Sequence, residues 1–157
     1  MDTLEIGDIA PAFEGKDQNG NIVKLSSYIG KKTILFFYPK DSTPGCTTEA
    51  CNLRDHYVLL QTKGFEIIGI SVDSEKSHLK FIEKNKLPFP LIADTEKEIV
   101  SKYEVWGEKK FMGRTYLGTK RTTFVVDENG KIDKIFDKVD TKNHAKQILT
   151  SYKKTHE

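Results

Sequence analysis

Cysteine is scarce in this chain of 157 residues: Cys46 and Cys51 are the only two. One pair is too few for the disulfide framework of a small secreted protein, and in a reducing compartment both are expected to rest as thiols. Long apolar runs are also missing, since nothing approaches the roughly 18 residues that a membrane span needs. The opening residues, MDTLE, are acidic and lack the layout of a signal peptide. Charge of one sign is not in excess either. There are 25 Lys and Arg against 23 Asp and Glu, a net of +2, so no basic field points to a nucleic-acid partner. Repeats, low-complexity tracts and linkers are lacking too. The expectation is one domain over residues 1–157 in the cytoplasm, with no membrane and no nucleic acid among its partners. Hydrophobic residues at 37% suffice for a core.

What is present reads as an α/β pattern. Residues 33–38 (TILFFY), stopped by Pro39, and residues 65–72 (FEIIGISV) are continuous apolar runs, as in strands buried on both faces. Between them a helix is expected over residues 44–63, closed by Gly64, which makes a βαβ unit. A third strand is expected at 122–126, and Asn129-Gly130 turns into a fourth that runs to about Val139. Asn19-Gly20 marks an N-terminal hairpin. Further helices are expected at 75–86, 95–103 and 142–154, the last from the stripe Ala145, Ile148, Leu149, Tyr152. Residues 87–90 (LPFP) read as a loop.

The start of the first long helix carries the chemistry. Thr43 suits the N-cap and Pro44 the first helical position, which puts Cys46 third in the helix. The Thr43 hydroxyl is expected to accept from the Cys46 amide. The sulfur then lies at the positive end of the helix dipole, an environment that favours the thiolate. Cys46, Ala50, Leu53, Tyr57 and Leu60 fall within about 40° of one line, so Cys46 looks inward. Cys51 lies about 140° around the helix, toward solvent. Two Cα atoms five residues apart in a helix are about 8.6 Å from each other. A disulfide needs about 4.4–6.8 Å. Any bond between these cysteines therefore requires the first turns of the helix to unwind.

Several chemistries are excluded by spacing. Four residues between the cysteines is not the Cys-x-x-Cys of a thioredoxin-type dithiol. A cysteine phosphatase places an Arg six positions after its nucleophile, where this chain has Asn52. Cys46, Cys51 and His56 scatter around the helix and match no zinc pattern. His56, His78, His144 and His156 read as surface or boundary residues. The Glu108-Lys109-Lys110 stretch and Lys153-Lys154 read as solvated faces, and Tyr57, Phe81 and Tyr103 as core aromatics.

Pro39-x-x-x-Thr43-x-x-Cys46 after a buried strand resembles the active-site signature of the peroxiredoxins. Residues 39–55 (PKDSTPGCTTEACNLRD) are similar to the Q-type subfamily, also called bacterioferritin comigratory protein. Residues 106–118 (WGEKKFMGRTYLG), Arg121-Thr122-Thr123-Phe124 and residues 125–132 (VVDENGKI) extend the likeness, which covers about Gly7 to Tyr152. The resemblance implies a thioredoxin-like fold with an N-terminal β-hairpin and a central mixed sheet flanked by helices. It implies a thiol peroxidase that reduces hydrogen peroxide and organic hydroperoxides without a cofactor or metal. By the same resemblance Cys46 is the peroxidatic cysteine, oxidised to a sulfenic acid. Thr43 positions the peroxide, Pro39 shields the sulfur, and Arg121 supports the thiolate and the charge developing on the peroxide. Glu49 orients the arginine hydrogen bonds, and Cys51 is the resolving cysteine of an intramolecular disulfide. Thioredoxin or a similar dithiol protein is then the reductant, and a monomer suffices. Arg54 lies near the helix but receives no role.

Two other readings use the same cysteines: a general thiol–disulfide oxidoreductase on this fold, and a redox-sensing module whose binding surface changes on oxidation. Neither calls for a Thr, a Pro and an Arg beside the cysteines.

Overall fold

The structure is a computed structural model that describes residues 3–152. His156, Lys153-Lys154 and the end of the helix expected at 142–154 lie outside the described residues.

A short antiparallel hairpin, β1 (Glu14–Lys16) and β2 (Ile22–Lys24), leads through a 3₁₀ turn into β3 (Lys32–Phe37). Then follow α1 (Pro44–Asp55), α2 (Tyr57–Thr62), β4 (Phe65–Ser71), α3 (Glu75–Asn85), β5 (Leu91–Ala93) and α4 (Glu98–Lys102). The second half holds the hairpin β6 (Trp106–Phe111) and β7 (Arg114–Thr119), then β8 (Thr122–Val126), β9 (Ile132–Phe136) and α5 (His144–Thr150).

The central sheet runs β5-β4-β3-β8-β9. Strands β3, β4 and β5 pair in parallel, whereas β8 and β9 join antiparallel, so the sheet is mixed as expected. The period of two along β3 splits the core into two layers. Ile34, Phe36 and Tyr38 face α1, α2, α3 and α5 in one apolar cluster that includes Cys46. Leu35 and Phe37 face the other side, with α4 and the aromatic rings of Tyr103 and Phe124. Both faces are covered, which is why the strand sequences read as continuous apolar runs.

Several local expectations are corrected. The helix over 44–63 is interrupted at His56, whose ring Nδ1 donates to Asn52 O at 2.8 Å, while its backbone N–H turns to Leu53 O. The ring takes the carbonyl that a continuing helix needs for its i→i−4 bond. Strand β5 follows directly on Pro90 where no strand was expected, and the expected helices over 95–103 and 142–154 shorten to α4 and α5. Hairpin β6–β7 was not foreseen, because its turn is Met112-Gly113, both at positive φ, without the Asn-Gly signal. Finally, His78 and His144 are not surface or boundary residues. Both are 0% exposed and sit in polar networks, and among the described histidines only His56 is at a boundary.

Candidate active site

Strand β3 delivers the chain through Tyr38 and a half-buried Pro39 into the loop before α1. That loop is held from below. The buried Asp41 carboxylate accepts from the Tyr38 hydroxyl at 2.6 Å and the Ser77 hydroxyl at 2.8 Å, and its backbone N–H donates to Asp73 at 2.8 Å. His78 Nδ1 lies 2.7 Å from the same carboxylate, and Nε2 lies 2.9 Å from Ile92 O. A carbonyl only accepts, so Nε2 carries a proton, and the short contact at Nδ1 requires another between ring and carboxylate. Asp41, Asp73 and His78 are also close enough together to resemble a metal site, but their donor atoms are already engaged in these hydrogen bonds.

Thr43 occupies the N-cap with extended backbone, as expected, but its side chain does not cap the helix. The hydroxyl instead donates back to Lys40 O at 2.8 Å. This closes the loop on itself and leaves the Cys46 amide without a side-chain cap.

Cys46 follows in the first turn of α1, 1% exposed and turned inward with Ala50 and Leu53. Arg121, in the link between β7 and β8, meets it there: Nη2 donates to the Cys46 sulfur at 3.4 Å and Nη1 to Glu49 Oε1 at 2.6 Å. Gly45 permits this approach, since a Cβ there would stand 3.1 Å from Nη2. Burial disfavours the Arg121 charge, but the Cys46 sulfur and the Glu49 carboxylate outweigh it and raise its pKa further. Glu49 is fully buried. Burial pushes its carboxyl up to about 7, against the pull of Arg121. Its second oxygen, Oε2, has no hydrogen-bond partner and lies 3.7 Å from His144 Nε2. Burial pushes His144 down to about 4.

Cys51 sits half-buried on another side of α1, where its thiol donates to Asn85 Oδ1 at 3.6 Å. It thus faces α3 rather than open solvent. Arg54 binds the same residue through Nη1 to Asn85 O at 2.7 Å. Both cysteines are free and share one unbroken helix. Helical geometry keeps their Cα atoms about 8.6 Å apart, beyond the reach of a disulfide.

Arg121 is therefore brought into direct contact with both Cys46 and Glu49, Thr43 and Pro39 lie in the loop ahead of them, and Cys51 is held apart. Three residues of this region were missed. His78 and His144 each precede apolar residues at helical spacing (Phe81 and Ile82, Ile148), a pattern that placed them on buried faces. Lys109, read as solvated, is half-buried on β6, where burial and Arg121 lower its pKa against the opposing effect of Cys46. Its place depends on the unforeseen hairpin.

A cysteine at a helix start, facing a guanidinium on a mixed α/β sheet with an N-terminal hairpin, defines a thiol-based redox enzyme. The profile of the AhpC/TSA family matches residues 6–135, and the chain belongs to that family. It is 46% identical to peroxiredoxin Bcp of Bacillus subtilis (96% of each chain) and 43% identical to peroxiredoxin Bcp of Escherichia coli K12 (95% of this chain, 96% of the relative). Among solved structures, the bacterioferritin comigratory protein of Xanthomonas campestris, studied for its alkyl peroxide reduction activity, superposes with a TM-score of 0.85 at 32% identity over 94% of each chain. The fold is that of the thioredoxin-like peroxiredoxins, and the chain is a thiol peroxidase.

Proposed function

We propose that Cys46 is the peroxidatic and Cys51 the resolving cysteine of a peroxidase that acts on hydrogen peroxide and organic hydroperoxides. The observation that carries this reading is the Arg121 guanidinium, held between the Cys46 sulfur and Glu49. Breaking an O–O bond needs a nucleophile and a fixed positive group where charge develops, and both are in place. The sulfur is almost covered, and Gly45 and Arg121 beside it are half-buried.

The Cys46 thiolate attacks the distal oxygen, the O–O bond breaks, and the leaving hydroxide or alkoxide takes a proton to depart as water or alcohol. Cys46 remains as a sulfenic acid. The first turns of α1 then unwind, the Cys51 thiolate attacks the sulfenic sulfur, and the hydroxyl leaves as water with one proton. Two successive exchanges with a dithiol protein of the thioredoxin type return both thiols. In this scheme Thr43 and Pro39 shape the approach to the sulfur, with Thr43 fixed by its bond to Lys40 O. Because resolution stays within one chain, a single domain acting as a monomer in a reducing cytoplasm suffices.

The test is hydroperoxide consumption coupled to thioredoxin and its reductase. Cys46→Ser is expected to show no turnover. Arg121→Ala is expected to slow the reaction with peroxide by about 10²–10³-fold. Cys51→Ser is expected to complete one fast turnover and then fail to recycle. Steady recycling by Cys51→Ser removes its resolving role, and a fast Arg121→Ala variant favours a plain thiol–disulfide oxidoreductase.

A further inference from the structure

The buried oxygen of Glu49 that lacks a partner has a neighbouring imidazole whose neutral tautomer the hydrogen bonds fix. His144 Nδ1 lies 2.9 Å from Gln147 Oε1. The Gln147 amide is oriented independently: its Oε1 accepts from the Asp140 N–H at 3.0 Å and its Nε2 donates to Lys138 O at 2.9 Å. Oε1 is therefore the atom facing the ring, and Nδ1 must carry the proton. In the neutral ring Nε2 is then a lone pair, and the Thr123 hydroxyl, 2.8 Å away, donates to it. The same lone pair is what Glu49 Oε2 meets at 3.7 Å.

We propose that His144 is a positioning residue of the peroxide reaction: it turns a lone pair, not an N–H, toward Glu49 Oε2, keeps that carboxyl neutral and so leaves the Arg121 charge to Cys46. Arg121 has one positive charge and two claimants. A neutral Glu49 still accepts the Nη1 hydrogen bond and keeps the guanidinium in place, but it does not neutralise the charge. An ionised Glu49 does, at the expense of the thiolate and of the charge that develops on the peroxide. An imidazolium at 144 would offer an N–H toward Oε2 and hold Glu49 ionised; burial of the ring keeps it neutral, against the contact with Gln147, which favours the charged form.

Among the described residues, the charged and titratable groups around Glu49 are few. Cys46 lies on its own helix, Arg121 comes from the link ahead of β8, and His144 comes from α5. Lys109 on β6 interacts with Arg121 and Cys46, and Asp140 acts on His144 from the preceding loop. Burial sets the Glu49 carboxyl at about 7, so Arg121 passes from one claimant to two close to neutrality.

The inference rests on Cys46 as the reacting sulfur. Its test is the pH profile of the single-turnover reaction of the reduced protein with hydrogen peroxide, with the protonated-carboxyl band in the infrared spectrum as a second readout. The wild type is expected to show an alkaline decline centred near pH 7, and Glu49→Gln to lose both the decline and the band. Gln147→Glu, which supplies a charge to hold an imidazolium at 144, is expected to move the decline to lower pH by about one unit. Thr123→Val, which frees the Nε2 lone pair for the Glu49 hydroxyl, is expected to move it to higher pH. A purely structural role does not produce shifts of opposite sign. An unmoved decline in Thr123→Val, or a decline that survives in Glu49→Gln, overturns the inference even if Gln147→Glu fails to fold. Peroxide consumption by Cys46→Ser overturns instead the functional reading beneath it.

Discussion

Two buried histidine–carboxylate pairs flank the candidate active site, and they are built in opposite ways. His78 and Asp41 are 2.7 Å apart with a proton between them, and the carboxylate receives two hydroxyl donors besides. His144 and Glu49 are 3.7 Å apart, with a ring nitrogen already supplied by Thr123 and a carboxyl oxygen supplied by nothing. The first pair is a brace: it fixes the loop that carries Thr43. The second is adjustable, because neither partner satisfies the other. Donor count and one ångström of separation decide whether a buried carboxyl serves as an anchor or as a titrating group.

Removing half of the brace is the largest expected effect. Asp41→Ala leaves His78 and Tyr38 facing a buried void, and breaking a buried pair in this way costs about 3–5 kcal/mol. Urea unfolding measures it; a loss below about 1 kcal/mol contradicts the brace.

The adjustable pair is exposed by pH. Burial lowers His144 from 6.5 to about 4, so between those values the unfolded chain takes a proton that the folded one refuses, and stability is lost as pH falls. Burial raises Glu49 from 4.5 to about 7, so there the unfolded chain loses a proton that the folded one keeps, and stability is lost as pH rises. Over the shared window, roughly pH 4.5 to 6.5, the two slopes cancel. Relative to wild type, Glu49→Gln is expected to uncover the His144 slope and His144→Asn the Glu49 slope. Each is about 1.4 kcal/mol per pH unit, with opposite sign, in denaturation curves taken at several pH values. Slopes of the same sign refute the assignment. The smallest effect belongs to Glu49→Gln at pH 7, where the amide imitates a carboxyl that is already half neutral. Its stability is expected within about 1 kcal/mol of wild type.

Three strands of the central sheet were legible in the sequence because each is short and buried on both faces. Residues 33–38, 65–72 and 122–126 are largely apolar and bounded by Pro39, Gly64 and charged turns. The helix start was legible because Thr43, Pro44 and Cys46 each carry a local rule, and the separation of the cysteines follows from helix geometry alone. What escaped was decided by competing partners, one nearby in the chain and others across the fold. Thr43 turned from the cap it was suited to because Lys40 O lay within reach of its hydroxyl. His78 and His144 read as surface or boundary residues, and their polar partners appear only when α3 and α5 pack against the sheet and bring them to Asp41 and Glu49, which are distant in sequence. The contact of Arg121 with the sulfur was foreseen from resemblance rather than from any spacing, since 75 residues separate them.

Asn52, one residue past Cys51, ties α1 to the far end of the chain. Its amide donates to Lys142 O at 2.9 Å and its Oδ1 accepts the Ala145 N–H at 2.8 Å, which fastens the beginning of α5. A helix that loosens to let its two sulfurs meet tugs on this tether as well. The C-terminal helix then becomes a remote indicator of thiol state, with Ala145 exchanging its amide hydrogen faster once the disulfide has formed.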